Sequence, residues 1–174
     1  FNFKNIKEEQ KKEIITILKN YQNREKDYLK EKIPIIEDYH EKKFTLNFDN
    51  FYLRGTVDNI YLYQNESIEI IDFKTNNIKD DEVKSKSKEY QLQLQAYSLA
   101  VSSLFDKNEI KYRIEYLIPE VNYSKFLNNE ALKTIKDKIN KLGNQIASSY
   151  RRDDFAIVEN KDCQYCIYGK LCNK

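Results

Sequence analysis

Glycine, proline and histidine are nearly missing from this chain: 174 residues hold three glycines, two prolines and one histidine. Lys, Asn, Ile and Tyr crowd in instead, a bias expected of an AT-rich genome rather than of physics. No glycine- or proline-rich linker divides the sequence and no repeat recurs in it. No apolar run approaches the length that spans a bilayer, and no charged-then-apolar leader opens the chain. The expectation is therefore a cytoplasmic protein without a membrane anchor. Nor is there an excess of charge: 30 Lys and Arg against 28 Asp and Glu leave a net +2. The balance does not announce a nucleic-acid binder, and any basic groove must be created by folding.

What is present is enough for one domain over 1–174. The length allows a sizeable core, and 40% hydrophobic with 33% charged residues suits a heavily solvated surface. The chain begins with Phe1, and we expect it to be part of a larger protein.

Residues 6–31 place Ile14, Ile17, Leu18, Tyr21, Tyr28 and Leu29 near helical spacing, and Pro34 stops that helix. "KFTLNF" (43–48), "FYLRGTVDNIYLYQ" (51–64) and "IEIIDFKT" (68–75) read as three strands of an antiparallel meander. Gly55 marks a bend or a close backbone approach in the second. The polar stretch 76–88 reads as an exposed loop. Residues 89–105 then form a helix with Leu92, Ala96, Leu99 and Leu104 towards the core. "KYRIEYLIPE" (111–120) is a strand stopped at Pro119, and "VNYSKFL" (121–127) is a short partner. A long amphipathic helix follows, capped by Asn128 or Asn129, with Leu132, Ile135, Ile139, Leu142 and Ile146 inward. The fold class is α/β (α+β): a mixed central sheet flanked by helices, ending in a cysteine tail over 162–174.

One strand carries chemistry. In "EIIDFKTN" (69–76), strand alternation points Asp72 and Lys74 to one side with Ile70, and Ile71 and Phe73 to the other. The plain alternative is a surface ion pair worth ~0–1 kcal/mol. Asp58 lies one short turn upstream, and antiparallel neighbours can bring both carboxylates together. Two unit charges about 4 Å apart repel by roughly 4 kcal/mol at an effective dielectric of ~20, a cost that a divalent cation removes. Hard oxygen ligands suit Mg²⁺ or Mn²⁺. Lys74 would then orient a water or neutralise developing charge. On this reading Asp58→Ala leaves the metal-free fold intact or slightly more stable. Gln93 and Tyr97, spaced i and i+4, share one helix face; the bland alternative is a core tyrosine with a solvated glutamine.

"RGTVDNI", "IIDFKT" and "QLQAY", in that order, resemble the RecB-type branch of the PD-(D/E)XK nucleases, with its G-x-x-D segment, D-x-K strand and Q-x-x-x-Y helix. The likeness covers about Glu41 to the C-terminus and implies a restriction-endonuclease-like fold. It implies that Asp58 and Asp72 bind metal with the Phe73 main-chain carbonyl, and that Lys74 is the catalytic lysine. Gln93 and Tyr97 would steady water or DNA, and Glu41 matches an acid of the family. One feature departs. The branch usually carries a metal-binding histidine on an early helix, whereas His40, the single histidine here, follows Pro34 and reads as a surface residue.

The cysteines cluster as C-x2-C-x5-C, at Cys163, Cys166 and Cys172. Close thiolates can wrap a soft metal, yet three leave a zinc site or an iron–sulfur cluster one ligand short. Zinc, a cluster and metal-free thiols all remain open on spacing alone. The resemblance implies a [4Fe–4S] cluster whose fourth cysteine lies upstream of the nuclease core. It further implies a Mg²⁺- or Mn²⁺-dependent deoxyribonuclease, more exonuclease than endonuclease. Its substrate would be single-stranded DNA ends in repair or recombination, and its companion a helicase. A catalytically silent module that binds DNA or a protein is the alternative. Lys84, Lys86 and Lys88 are candidates for phosphate contact, or simply a solvated face.

Overall fold

A computed structural model describes residues 7–151 together with 154, 163 and 166. The elements run α1 (Glu8–Lys30), β1 (Ile35–Asn47), β2 (Tyr52–Tyr63), β3 (Ile68–Lys74), a 3₁₀ turn (Asp80–Glu82), α2 (Val83–Glu89), α3 (Gln91–Phe105), β4 (Ile110–Tyr116), β5 (Val121–Leu127) and α4 (Asn129–Ala147). The strands form one five-stranded sheet in sequence order. Every neighbouring pair is antiparallel except β3 and β4. Parallel strands need a crossover connection, and α2 and α3 supply it. This is the mixed, helix-flanked sheet expected of a restriction-endonuclease-like fold.

The two faces of the sheet differ in chemistry. Ile60, Ile70, Tyr112, Ile114 and Tyr116 join Leu94, Val101, Leu132, Ile135 and Ile139 in the main apolar core, so α3 and α4 close one face by burying hydrocarbon. On the other face lie Ile71, Tyr61 and Tyr63, a small apolar cluster touched by Leu29 and Phe73. There α1 is fastened largely by charge. Buried Arg113 binds the carboxylate of Glu25 through two nitrogens, at 2.7 and 2.8 Å, and that of Glu115 at 3.0 Å. Arg24 reaches Glu115 at 2.7 Å, and Lys111 reaches Glu69 at 2.9 Å. Three carboxylates (Glu25, Glu69, Glu115) thus face three cations (Arg24, Lys111, Arg113).

Several expectations need correction. Residues 83–89 are helix rather than loop: Ser87 is its one buried residue, Val83 packs against the core, and Ser87 Oγ bonds the Val83 carbonyl at 2.7 Å. So thin a buried stripe leaves a polar sequence. In α3 the buried residues are Leu94, Ser98, Ala100 and Val101, while Leu92 and Leu104 are exposed. Ser98 can be interior because its hydroxyl bonds the Leu94 carbonyl at 2.8 Å. Ile14 and Leu18 of α1, and Leu142 and Ile146 of α4, are also exposed; the latter two line an open apolar hollow with Leu53, Leu92 and Ala96. The first strand begins at Ile35, well before Phe44, with a bulge between Ile35 and Glu37. Of the two candidate caps of α4, Asn128 serves, accepting from the Ala131 N–H at 3.0 Å. No described helix is long and apolar enough to cross a membrane.

Candidate active site

The β2–β3 ladder ends at Asn59 opposite Ile71; one step further in that register stand Asp58 and Asp72. There the strands part. The N–H of Phe73, which a continuing ladder would bond to main chain, donates instead to Asp58 Oδ2 at 2.9 Å. Strand alternation has a second effect. The Lys74 carbonyl faces β4 and accepts from the Leu117 N–H at 2.9 Å, so the Phe73 carbonyl points to the opened β2 side. Two carboxylates and one main-chain carbonyl therefore gather where the ladder splits.

Asp72 is 1% exposed. Its Oδ2 lies 2.6 Å from Lys74 Nζ, without hydrogen-bond alignment, and its Oδ1 has no hydrogen-bond partner among the described residues. Burial pushes the Asp72 carboxyl above the usual carboxylate range; Lys74 opposes that and the Asp58 charge adds to it. A buried carboxylate oxygen without a hydrogen-bond partner, beside a second acid, is a place that a cation would stabilise. The donors are all hard oxygen, which fits a divalent ion of the Mg²⁺ type. Among the described residues no three His, Cys, Asp or Glu side chains converge as a metal-binding group; the oxygens that could hold an ion are those of Asp58, Asp72 and the Phe73 carbonyl.

The remaining side chains continue the line. Lys74 Nζ donates to Gln93 Oε1 at 3.2 Å, and Gln93 Nε2 donates to the Tyr97 hydroxyl at 2.8 Å. Burial raises the Tyr97 hydroxyl above its ordinary value, with Gln93 opposing and the charges of Asp72 and Asp58 adding to the rise. Tyr97 therefore stays a protonated donor at neutral pH. Gly55 makes room for Phe44, the ring that packs against Tyr97. A Cβ at Gly55 would come 2.7 Å from the Phe44 ring and 3.5 Å from Tyr97, and those two rings meet edge to face at 5.9 Å. Gly55 marks a close approach.

Other candidates stand apart. His40 is exposed beside Asp38, 3.2 Å away, on the strand position opposite Asn59. The helix that would carry the family histidine presents Tyr21, edge-on to Phe73 at 5.2 Å, and Glu25. Glu41 is exposed, in left-handed backbone (φ 48°), where β1 pairing skips the residue opposite Asp58. Lys84 and Lys88 are exposed on α2, and Lys86 pairs with Glu89 at 3.1 Å. Cys163 and Cys166 are exposed, joined by a main-chain bond of 3.2 Å, and Cys172 lies outside the described residues. Sequence reasoning missed Tyr90, whose ring lies 4.4 Å from Lys74 Nζ. Its position three residues before Gln93, on the same helical face, was the available signal.

Comparison with known families decides the lineage: the model of the PD-(D/E)XK nuclease superfamily matches residues 4–173. The chain belongs to the PD-(D/E)XK nuclease superfamily. Membership implies nuclease activity, a nucleic-acid substrate and the divalent metal, such as Mg²⁺, that these nucleases generally use. A solved structure described as "Crystal structure of SSO0001" is similar at 15% identity and a TM-score of 0.45, covering 93% of this chain and 70% of that one. No curated protein matches the chain.

Proposed function

We propose that this PD-(D/E)XK chain is a Mg²⁺- or Mn²⁺-dependent deoxyribonuclease acting on single-stranded DNA ends. In this reading Asp58, Asp72 and the Phe73 carbonyl hold the cation, and Lys74 is the catalytic lysine. The supporting observation is the split ladder, which leaves a buried Asp72 oxygen unpartnered beside Asp58 with an ammonium at 2.6 Å. The cation, when bound, supplies positive charge at the scissile phosphate. Lys74, 15% exposed in its side chain, orients the attacking water and offsets charge developing on the phosphate. Gln93, which accepts from Lys74 Nζ, helps to fix the lysine, and the Tyr97 hydroxyl donates towards water or the phosphate backbone.

The finer assignments rest on the RecB-type resemblance: exonuclease action, a repair or recombination role, and a helicase companion. The [4Fe–4S] assignment to Cys163, Cys166 and Cys172 rests on that resemblance and on spacing, and no step is derived through it.

The test is cleavage of labelled single- and double-stranded DNA with Mg²⁺ or Mn²⁺ by the protein and its Asp72→Ala and Lys74→Ala variants. Each variant should lose at least about a hundredfold in rate, the scale of removing one electrostatic contact to a transition state. If both cut as well as the parent, the assignment is wrong. A catalytically silent module that binds DNA or a protein is the second reading, favoured by the lack of a third acidic or histidine side chain at the site among the described residues. Calorimetric titration with Mn²⁺ separates the two, because a silent module binds no Mn²⁺ through Asp58 and Asp72.

A further inference from the structure

Lys74 has a third neighbour besides Asp72 and Gln93. Its Nζ sits 4.4 Å from the centroid of the Tyr90 ring. Tyr90 is the residue between α2 and α3, and both helices grip its backbone. Its N–H donates to the Lys88 carbonyl, and its carbonyl accepts from the Leu94 N–H at 3.1 Å. The hydroxyl at the far end of the ring donates to Asn76 Oδ1 at 3.0 Å, two residues beyond Lys74. The ring, packed against the main core, is thus held at both ends while one face meets the ammonium.

A lysine side chain has four rotatable bonds and gains little by holding one pose unless its surroundings restrict it. Asp72 and Gln93 restrict Nζ from two directions. An aromatic face attracts a cation without hydrogen-bonding to it, so the third contact leaves the ammonium's protons free for water and phosphate. A carboxylate in that place would compete for those protons.

We propose that Tyr90 is a positioning residue: its ring face keeps the Lys74 ammonium aimed at the Asp72 side of the split ladder, setting turnover without touching substrate. The inference rests on the nuclease reading for its effect on catalysis, but its geometric content does not.

Two measurements on Tyr90→Phe and Tyr90→Leu test it. The first is steady-state cleavage of labelled DNA with Mg²⁺. The second is acylation of Lys74 in the metal-free protein by an amine-selective reagent, quantified by peptide mass spectrometry against exposed Lys141. Tyr90→Leu keeps an apolar side chain and loses the aromatic face. It should lower kcat about tenfold while leaving KM within about twofold, and raise Lys74 labelling severalfold. Tyr90→Phe keeps the ring and should stay within about threefold of the parent in both readouts. Where Tyr90→Leu fails to fold, Tyr90→Met makes the same comparison. Unchanged Lys74 labelling in the folded Leu or Met variant overturns the platform, as does a Phe variant as impaired as the Leu variant. If labelling rises as expected but the parent cuts no DNA, the nuclease reading fails and the platform stands.

Discussion

Asp58 and Asp72 stand opposite each other at the first position where β2 and β3 stop pairing, and the Phe73 N–H there donates to Asp58 Oδ2 at 2.9 Å. A sheet that closed one step later would bury both acids in a ladder without room for an ion. The metal-free protein carries the consequence. Burial, reinforced by Asp58, raises the Asp72 carboxyl, so the folded state binds its proton more tightly than the unfolded chain. For such a group, stability is fully present below the ordinary value of 3.8 and is lost as pH rises through the folded value. Asp72→Asn should therefore melt higher than the parent at pH 7 without metal, and the advantage should vanish towards pH 3. Adding Mn²⁺ should reverse the order, because only the parent gains binding energy from the ion. Thermal melts at both pH values, with and without Mn²⁺, check the sign.

Asp58 behaves differently, because Oδ2 also accepts the Phe73 N–H at 2.9 Å. Removing a partner from a part-buried donor costs roughly 1–3 kcal/mol. Asp58→Ala should accordingly destabilise the metal-free protein by about that much, contrary to what charge repulsion alone predicts. Asp58→Asn keeps an acceptor oxygen, removes the charge, and should melt at or above the parent. Equal losses in both variants would refute the double role.

Much of this site was legible before folding. Alternation alone put Asp72 and Lys74 on one face with Ile70, and Ile70 does lie in the main core while Ile71 lies in the other cluster. The i and i+4 spacing of Gln93 and Tyr97 likewise holds, since the two bond at 2.8 Å. What periodicity could not supply was register, and therefore the place where the ladder splits. Nor could it find the charged face. Glu69, Arg113 and Glu115 look like solvated residues in sequence, yet they are among the most buried side chains, and Glu25 is buried with them. Charge becomes interior only when partners from α1, β3 and β4 meet, which is tertiary information. In α3 the leucines drew attention away from Ser98, whose local hydrogen bond makes it a core residue.

Gly55 offers a steric test. A Cβ there would fall 2.7 Å from two atoms of the Phe44 ring, and Phe44 is buried against Tyr97. Gly55→Ala should cost about 1–3 kcal/mol through overpacking. It should also lower cleavage by displacing Tyr97. Pairing it with Phe44→Leu frees space and should restore part of the melting temperature. A Gly55→Ala variant as stable as the parent would show that the ring moves away without cost.

The ionic fastening of α1 predicts an acid-labile helix. Burial opposes ionisation of Glu69, but the Tyr63 hydroxyl at 2.6 Å, Arg113 and Lys111 together hold its carboxyl below the ordinary value of 4.5. A carboxyl lowered on folding contributes stability above the unfolded value, lost as pH falls through the folded one. The Tyr28 hydroxyl of α1 also donates to Glu69 Oε1, at 2.9 Å, so as pH falls below the ordinary value of 4.5 α1 should loosen before the apolar face of the sheet does. Removing one member of a buried ion cluster strands the others, so Arg113→Met should cost about 3–5 kcal/mol at pH 7. It should also abolish much of the acid transition, since the stranded carboxylates then gain by protonation. Hydrogen exchange across residues 19–30 and 110–116, followed from pH 7 to pH 3, reads both effects. Exchange in α1 that rises no sooner than exchange around Val101 and Ile139 would mean that hydrocarbon, not charge, holds the helix to the sheet.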